Sequence, residues 1–257
     1  MKRILASCLV AVAMAARPAS AQVTSPITTE TPTAAPDAAT PERGVAKGFA
    51  RDVLHDYKDF FSGETALWLG IGGDAALAVH GADESIFEWT TGSDAFTLPG
   101  GGVYGSQLLH VPVAIAWWAI GSAVGRPRDA EAGRDLLRAQ ISVFSWTYAV
   151  KFATQRTRPN GDPHSFPSGH ASTTFATAMV LQEHYGWKAG LPAFIAASYA
   201  SISRVTDQQH WASDVVFGAV LGMASARTVT INFRGTRASI APLAVPSGGG
   251  VIVVAMR

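Results

Sequence analysis

Residues 151–172, KFATQRTRPNGDPHSFPSGHAS, gather one lysine, two arginines, two histidines, three prolines and two glycines. Cationic donors set among chain breaks are what an anionic ligand needs. Lys151 and Arg158 are seven residues apart, two helical turns, which predicts that both lie near one face of a helix that Pro159 ends. Pro167-Ser168-Gly169-His170 follows. Ser168 is a good N-cap, Gly169 lets a ligand approach the backbone, and the first N–H groups of the next helix form an anion site. Downstream, SRVTDQQHWASD (203–214) places His210 and Asp214 four apart on an expected helix capped by Asp207. A carboxylate there fixes the imidazole tautomer and leaves the other nitrogen free to attack. Each cluster alone has an ordinary explanation: cations answering a helix dipole, a capped helix with a surface histidine, an exposed ion pair. Together they supply phosphoryl transfer without a metal. Arginine forks and a lysine charge suit phosphate oxygens, one histidine can be the nucleophile, and the other can protonate the leaving oxygen.

Helical periodicity accounts for how these residues are carried. Helices are expected over 45–61, 64–80, 104–125, 133–155, 169–186, 190–203 and 207–227, separated by Gly, Pro and Asp breaks. Residues 43–227 therefore read as one all-α domain, a compact helical bundle with every chemical motif within 151–214. The segments TVTINF, ASIAPLAV and GVIVVAM are short and β-branched, which predicts a β-hairpin-like tail over 228–257. Trp117, Trp118, Trp146 and Trp187 read as core or interface aromatics. His164 is expected at the rim of the site, and Arg156 facing solvent or supporting a site residue from behind. Asp74, Asp83, Glu84 and Asp94 form no ligand constellation with histidine, so no metal is assigned.

The N-terminal 21 residues have the form of an export signal: Lys2 and Arg3, an apolar run from Ile4 to Ala16, and Ala19-Ser20-Ala21 as a small-x-small cleavage site. Too few apolar residues precede Cys8 for a lipoprotein reading to compete. Residues 22–42 are rich in Thr, Pro and Ala without apolar period, a disordered tether. The signal carries three basic residues and no acid, which leaves 17 basic residues against 19 acidic. A near-neutral chain gives no electrostatic case for nucleic acid. Cys8 is the only cysteine, which excludes a disulfide, a catalytic thiolate or a cysteine metal site in the mature chain.

The ordered pattern K-x6-R-P, P-S-G-H and S-R-x5-H-x3-D resembles the type 2 phosphatidic acid phosphatase/vanadium haloperoxidase superfamily. It is carried by Lys151, Arg158-Pro159, Pro167 to His170, Ser203-Arg204, His210 and Asp214, and extends over about residues 100–227. The branch resembled is the bacterial phosphatase one, with its class A acid phosphatases and lipid phosphate phosphatases; the short gap between Pro159 and Pro167 looks more like bacterial members than the longer-looped acid phosphatases. The resemblance implies His210 as nucleophile held by Asp214, and His170 as general acid and later the base that activates water. It also implies a phosphate cradle of Lys151, Arg158, Arg204, Ser168 and the Gly169 backbone. No cofactor is implied, and vanadate is expected as an inhibitor. The spacing of His210 and Asp214 gives the same pairing independently.

The expected function is that of an exported phosphatase hydrolysing phosphate monoesters or lipid phosphates through a phosphohistidine. A vanadate-dependent haloperoxidase is the enzymatic alternative, set back by the short chain. An inactive phosphate- or lipid-binding envelope protein is the other, set back by the complete His/Asp set. Only Gln107–Gly125 approaches the roughly 20 apolar residues of a membrane span. An exported, periplasmic or envelope-associated, soluble or peripheral phosphatase is therefore expected, with integral contact in an inner-membrane-spanning form as the alternative. The oligomeric state is not encoded in these motifs.

Overall fold

The computed structural model describes residues 41–91 and 98–231, with side chains from 48 to 91 and from 98 to 230, and the backbone of 237–245 and 248–256. The leader, nearly all of the tether and Asp94 lie outside the described residues. Nine helices are present among those residues: α1 (Pro41–Phe60), α2 (Gly63–His80), α3 (Asp83–Thr91), α4 (Gly101–Tyr104), α5 (Gln107–Ala123), α6 (Pro127–Thr154), α7 (Gly169–Tyr185), α8 (Trp187–Thr206) and α9 (Ala212–Ile231). The fold is an all-α bundle. Strands β1 (Arg237–Val245) and β2 (Gly248–Met256) pair antiparallel after it, Arg237 opposite Met256. The tail thus begins later than its composition suggests. Thr228 to Ile231, the first part of TVTINF, continue α9, where Thr228 and Thr230 return their hydroxyls to the Ala224 and Ala226 carbonyls. Packing of this last turn overrides β-branched propensity.

α6, α7 and α9 form the centre of the bundle. In α6 the buried residues Ala132, Leu136, Ala139 and Val143 recur every three to four positions, one helical face. Leu136, Ala139 and Val143 pack with Ala176, Met179 and Val180 of α7 and Met223, Ala226 and Val229 of α9. Each fully buried Leu or Val contributes roughly 1.5–3 kcal/mol over an exposed one. Small residues then set the spacing. A Cβ on Gly218 would stand 2.5 Å from the Ser168 carbonyl oxygen, and one on Gly222 2.2 Å from that of Ser172. Only glycine lets α9 lie directly on the start of α7.

α1 is fastened to α6 by charge. Arg138 spans both carboxylate oxygens of Asp56 and also donates to Asp135 (2.9 Å), which in turn pairs with His184 (3.0 Å). Burial pushes the Asp56 carboxyl up to about 6 against the pull of Arg138. Trp146 stacks on Phe60, Trp118 on Phe49 and Trp117 on Tyr185, whereas Trp187 is largely exposed. α5 is 17 residues long with Pro112 inside it, and no helix among the described residues is long and apolar enough to cross a membrane.

Candidate active site

A cavity of roughly 360 Å³ opens between the C-terminal end of α6, the start of α7, the α8–α9 connection and the start of α5. Its lining includes Lys151, Arg158, Gly169, His170, Arg204 and His210, so six of the residues singled out by type and spacing meet on one space. Ser168 and Asp214 lie behind it, both fully buried.

The route by which Lys151 and Arg158 meet differs from the helical expectation. α6 ends at Thr154, where Gln155 turns left-handed (φ 47°), so Arg158 lies in a loop and not two turns along a helix face. The loop closes on itself through Ser165 N–H to the Arg156 carbonyl (2.7 Å) and Arg158 N–H to the Asp162 carbonyl (2.8 Å), which draws the chain off the helix axis before Pro159 is reached. Arg158 then comes over the cavity and donates to Gln209 (2.9 Å). Its Nε is buried with no acceptor in the protein, a donor that a phosphate oxygen would satisfy. Lys151 Nζ donates to the carbonyls of His164 (2.6 Å) and Ser165 (3.1 Å). Burial, then the neighbouring Arg158, lowers its ammonium to about 8, with Asp214 pulling the other way. His164, expected at the rim, is not among the residues lining the cavity and instead tethers Lys151 through its carbonyl.

Ser168 caps α7, its hydroxyl accepting from Ala171 N–H at 3.4 Å, and that hydroxyl does not line the cavity. Gly169, the first residue of α7, does, so the positive end of the helix is what the site receives from this motif. Thr147 is a lining residue that the motifs did not flag, and its buried hydroxyl has no partner in the protein.

His210 also departs from the sequence expectation. α8 runs to Thr206, Asp207 is its C-cap, and α9 starts only at Ala212, so His210 lies in a tight loop and not in a first helical turn. The Arg204 carbonyl accepts from both Gln209 N–H (2.9 Å) and His210 N–H (3.1 Å), and Gln208 takes φ 57° to permit this. Asp214 still backs His210: Nδ1 stands 3.5 Å from Oδ2, an ion-pair distance at which the hydrogen bond is not closed. Burial lowers the His210 imidazole, helped by Lys151 and Arg158 and opposed by Asp214.

Asp214 is held by more than His210. Oδ2 accepts from Trp211 N–H (2.9 Å) and from the Ser165 hydroxyl, and Oδ1 accepts from Arg156 (2.7 Å). Burial alone would raise its carboxyl. His210, Ser165, Arg156 and the Trp211 N–H outweigh that and hold it below the usual carboxylate range. Its own carbonyl accepts from Ser168 N–H (3.0 Å), which joins the two histidine-bearing motifs directly.

Arg156 therefore faces inward. Its second nitrogen donates to Asp83 (2.8 Å), and Asp83 accepts from Ser213 N–H (3.0 Å) and hydroxyl (2.5 Å). An acid of α3 thus caps α9, and the Arg156 fork bridges the two carboxylates. The only sequence signal for this was that Arg156 shares the loop of Arg158. Nothing marked Asp83, 130 positions from Ser213.

His170 Nε2 lies 3.1 Å from the Gly102 carbonyl. Burial, then the charges of Arg204 and His210, push its imidazole down to about 4 despite that hydrogen bond, so it rests neutral. Arg204 is partnered by Asp207 and by the Ser203 hydroxyl (3.2 Å). The three cations, the α7 N-terminus and two imidazoles can bind a phosphoryl group, attack it and protonate what leaves.

Residues 144–237 match the model of the PAP2 superfamily. Over 79 residues the chain is 39% identical to the lipid A 1-phosphatase of Porphyromonas gingivalis, which takes in 29% of this chain and 18% of that protein. The chain thus spans less than a fifth of the length of that curated relative. Among solved structures, Aquifex aeolicus LpxE aligns at TM-score 0.49 and 18% identity over 58% of this chain and 94% of its own. A transmembrane PAP2 type phosphatidylglycerolphosphate phosphatase from Bacillus subtilis aligns at TM-score 0.46 and 18% identity, over 74% and 96%.

Proposed function

We propose that the protein, whose residues 144–237 match the PAP2 superfamily model, is a phosphatase that hydrolyses lipid phosphates at a membrane surface of the cell envelope, through a phosphohistidine and without a metal. The observation that carries this reading is the convergence of Lys151, Arg158, Arg204 and the α7 N-terminus with two histidines on one cavity, one histidine backed by a buried carboxylate.

The substrate phosphate sits among the three cations and the Gly169 backbone. His210 attacks through Nε2, since Nδ1 faces Asp214. The N–P bond forms as the ester P–O bond breaks, and the proton on His170 passes to the departing oxygen. Asp214 stabilises the positive charge that His210 acquires. Neutral His170 then takes a proton from water as that water's oxygen attacks phosphorus. The N–P bond breaks, phosphate leaves and His170 is protonated for the next cycle. At rest Arg204, His210 and Arg158 oppose a charge on His170. A bound phosphate dianion offsets those charges and brings the imidazolium within working range.

Lipid is favoured over a soluble ester by the mouth of the site. Leu108, Phe144 and Tyr148 line the cavity yet are 89%, 49% and 42% exposed, and Phe152 continues the strip along α6. The identity shared with a lipid A 1-phosphatase supports the same substrate class. The test is phosphate release by the purified full chain from phosphatidic acid and an isoprenyl diphosphate in mixed micelles, beside p-nitrophenyl phosphate in solution. Faster turnover of the lipids is expected. Release from none of the three would overturn the phosphatase reading, and preference for the soluble ester would overturn the lipid one.

A further inference from the structure

The family match starts at residue 144, but a segment far before it touches two of the reacting side chains. Residues 98–105 carry the short helix α4 and are tied down at both ends. The Tyr199 hydroxyl donates to the Pro99 carbonyl (2.8 Å), and buried His110 donates from Nε2 to the Tyr104 carbonyl (2.7 Å). Between these anchors the Gly102 carbonyl receives His170 Nε2. A carbonyl can only accept, so Nε2 carries the proton. Nδ1, on the opposite edge of the ring, is left as the nitrogen that gives and takes the catalytic proton.

The packing agrees with the hydrogen bond. A Cβ on Gly105 would lie 2.7 Å from His170 Cδ2 and 2.9 Å from its Cβ, so the ring stands in space that alanine would fill. A Cβ on Gly102 would lie 2.7–2.9 Å from the guanidinium of Arg204. Gly105 has φ −76° and Gly102 lies inside a helix, so backbone conformation does not demand glycine at either position. At Gly105 the demand comes from the His170 ring and Cβ, while at Gly102 an added Cβ would push the Arg204 guanidinium out of its present place.

We propose that the Gly101–Gly105 segment is a positioning element of the active site, in which the Gly102 carbonyl orients His170 as Asp214 orients His210 and the missing side chains of Gly102 and Gly105 make room for Arg204 and His170. The proposal rests on the phosphatase reading above. In the first half-reaction the Nδ1 proton of His170 goes to the ester oxygen as its bond to phosphorus breaks, and the Nε2–H bond to Gly102 keeps the ring aimed. In the second half-reaction Nδ1, now bare, accepts the proton of the attacking water. Arg204, held beside Gly102, contributes to phosphate binding in both steps.

The two glycines act on different side chains, so alanine at each gives a different signature. Gly105→Ala turns the ring of the acid. We expect a loss in kcat/KM, which reports phosphoenzyme formation and not its hydrolysis, of about 10²-fold on an alkyl or lipid phosphate, whose leaving oxygen needs a proton, and at most about tenfold on p-nitrophenyl phosphate, whose leaving group departs without one. Gly102→Ala displaces a phosphate-binding guanidinium and raises KM about tenfold for both substrates alike. Tyr199→Phe loosens the segment without filling space, and its hydroxyl touches no reacting group. It retains the test where Gly105→Ala does not fold, with the same leaving-group dependence at about three- to tenfold. Leu54→Ala, at an exposed position of α1 that does not line the cavity, leaves kcat and KM unchanged. Thermal melts establish folding of each variant. Equal losses on the two substrates, or none, in folded Gly105→Ala or in Tyr199→Phe would overturn the proposal. Absence of turnover by the unaltered protein on both substrates would instead sink the phosphatase reading beneath it.

Discussion

Replacing Arg156 by Met keeps an aliphatic stem and removes the fork that joins Asp83 to Asp214. Asp214 Oδ1 loses its 2.7 Å donor, while Oδ2 retains Trp211 N–H and Ser165. Asp83 keeps the Ser213 N–H and hydroxyl and His80 at 3.0 Å. Breaking a buried ion pair by deleting one partner costs about 3–5 kcal/mol. Arg156 is 24% exposed and both carboxylates retain donors, so the loss belongs at or below the low end, about 2–3 kcal/mol. For a domain of this size that is a fall in Tm of about 5–10 °C. The catalytic effect is separate. Freed at Oδ1, the Asp214 carboxylate holds His210 less firmly, and losing an outer partner of this kind typically costs about 10–100-fold. The fall should appear in kcat, with KM changed by less than about twofold, because Arg156 does not line the phosphate cavity. Lys at 156 reaches one carboxylate but not both and should fall between. The assays are steady-state phosphate release and differential scanning fluorimetry on the same preparations. Unchanged kcat and Tm in the Met variant, or a rise in KM alone, would refute the bridging role.

Three further outcomes are expected. Asp214→Asn should keep the fold, lose about 10³–10⁴ in kcat because the amide stabilises the wrong His210 tautomer, and trap less labelled phosphoenzyme in rapid quench, whereas His210→Ala should trap none; label on the His170 peptide would reverse the two histidines. Orthovanadate should inhibit competitively and dialysis against EDTA should leave activity intact, since the charges of the pocket are side chains; restoration by added Mg²⁺ or Zn²⁺ after loss would contradict this. Neutral His170, held at about 4 against an ordinary 6.5, contributes stability that is fully present above pH 6.5 and lost as pH falls towards 4, about 3 kcal/mol in all. His170→Asn should accordingly flatten the urea midpoint between pH 7.5 and 4.5, and parallel pH profiles for the two proteins would count against it.

The residues that announce chemistry by type were legible in the sequence. Lys151, Arg158, His170, Arg204 and His210 meet because each sits at a helix end or in a short connection whose Pro, Gly and Asp signals can be read locally. The local geometry was less legible. The four-position step from His210 to Asp214 looked like one helical turn, but the Arg204 carbonyl captures two successive N–H groups and makes the contact from a loop. Asp83 and Gly102 were invisible for a different reason. Their importance is set by tertiary neighbours that carry no signature at short range: Ser213 and Arg156 for the first, His170 and Arg204 for the second. The extension of α9 through Thr228 and Thr230 shows the same limit, because burial and not propensity decides that turn.

The glycine-mediated contact between α9 and the start of α7 divides the site into two walls with different freedom to vary. On one wall Gly218 and Gly222 meet the Ser168 and Ser172 carbonyls with no side chain between, so the spacing of the PSGH turn from the His210 loop is fixed by main chain against main chain. Such a joint has no side chain that can be trimmed or enlarged to retune it. The facing wall, with Gln107, Leu108, Phe144 and Tyr148, is made of side chains at the cavity mouth. Substrate scope can therefore drift, or be redesigned, on that side without detuning the chemistry. A combinatorial library confined to those four positions should yield folded proteins with altered acyl and headgroup preference, while an alanine at Gly218 or Gly222 should be rejected whatever the substrate.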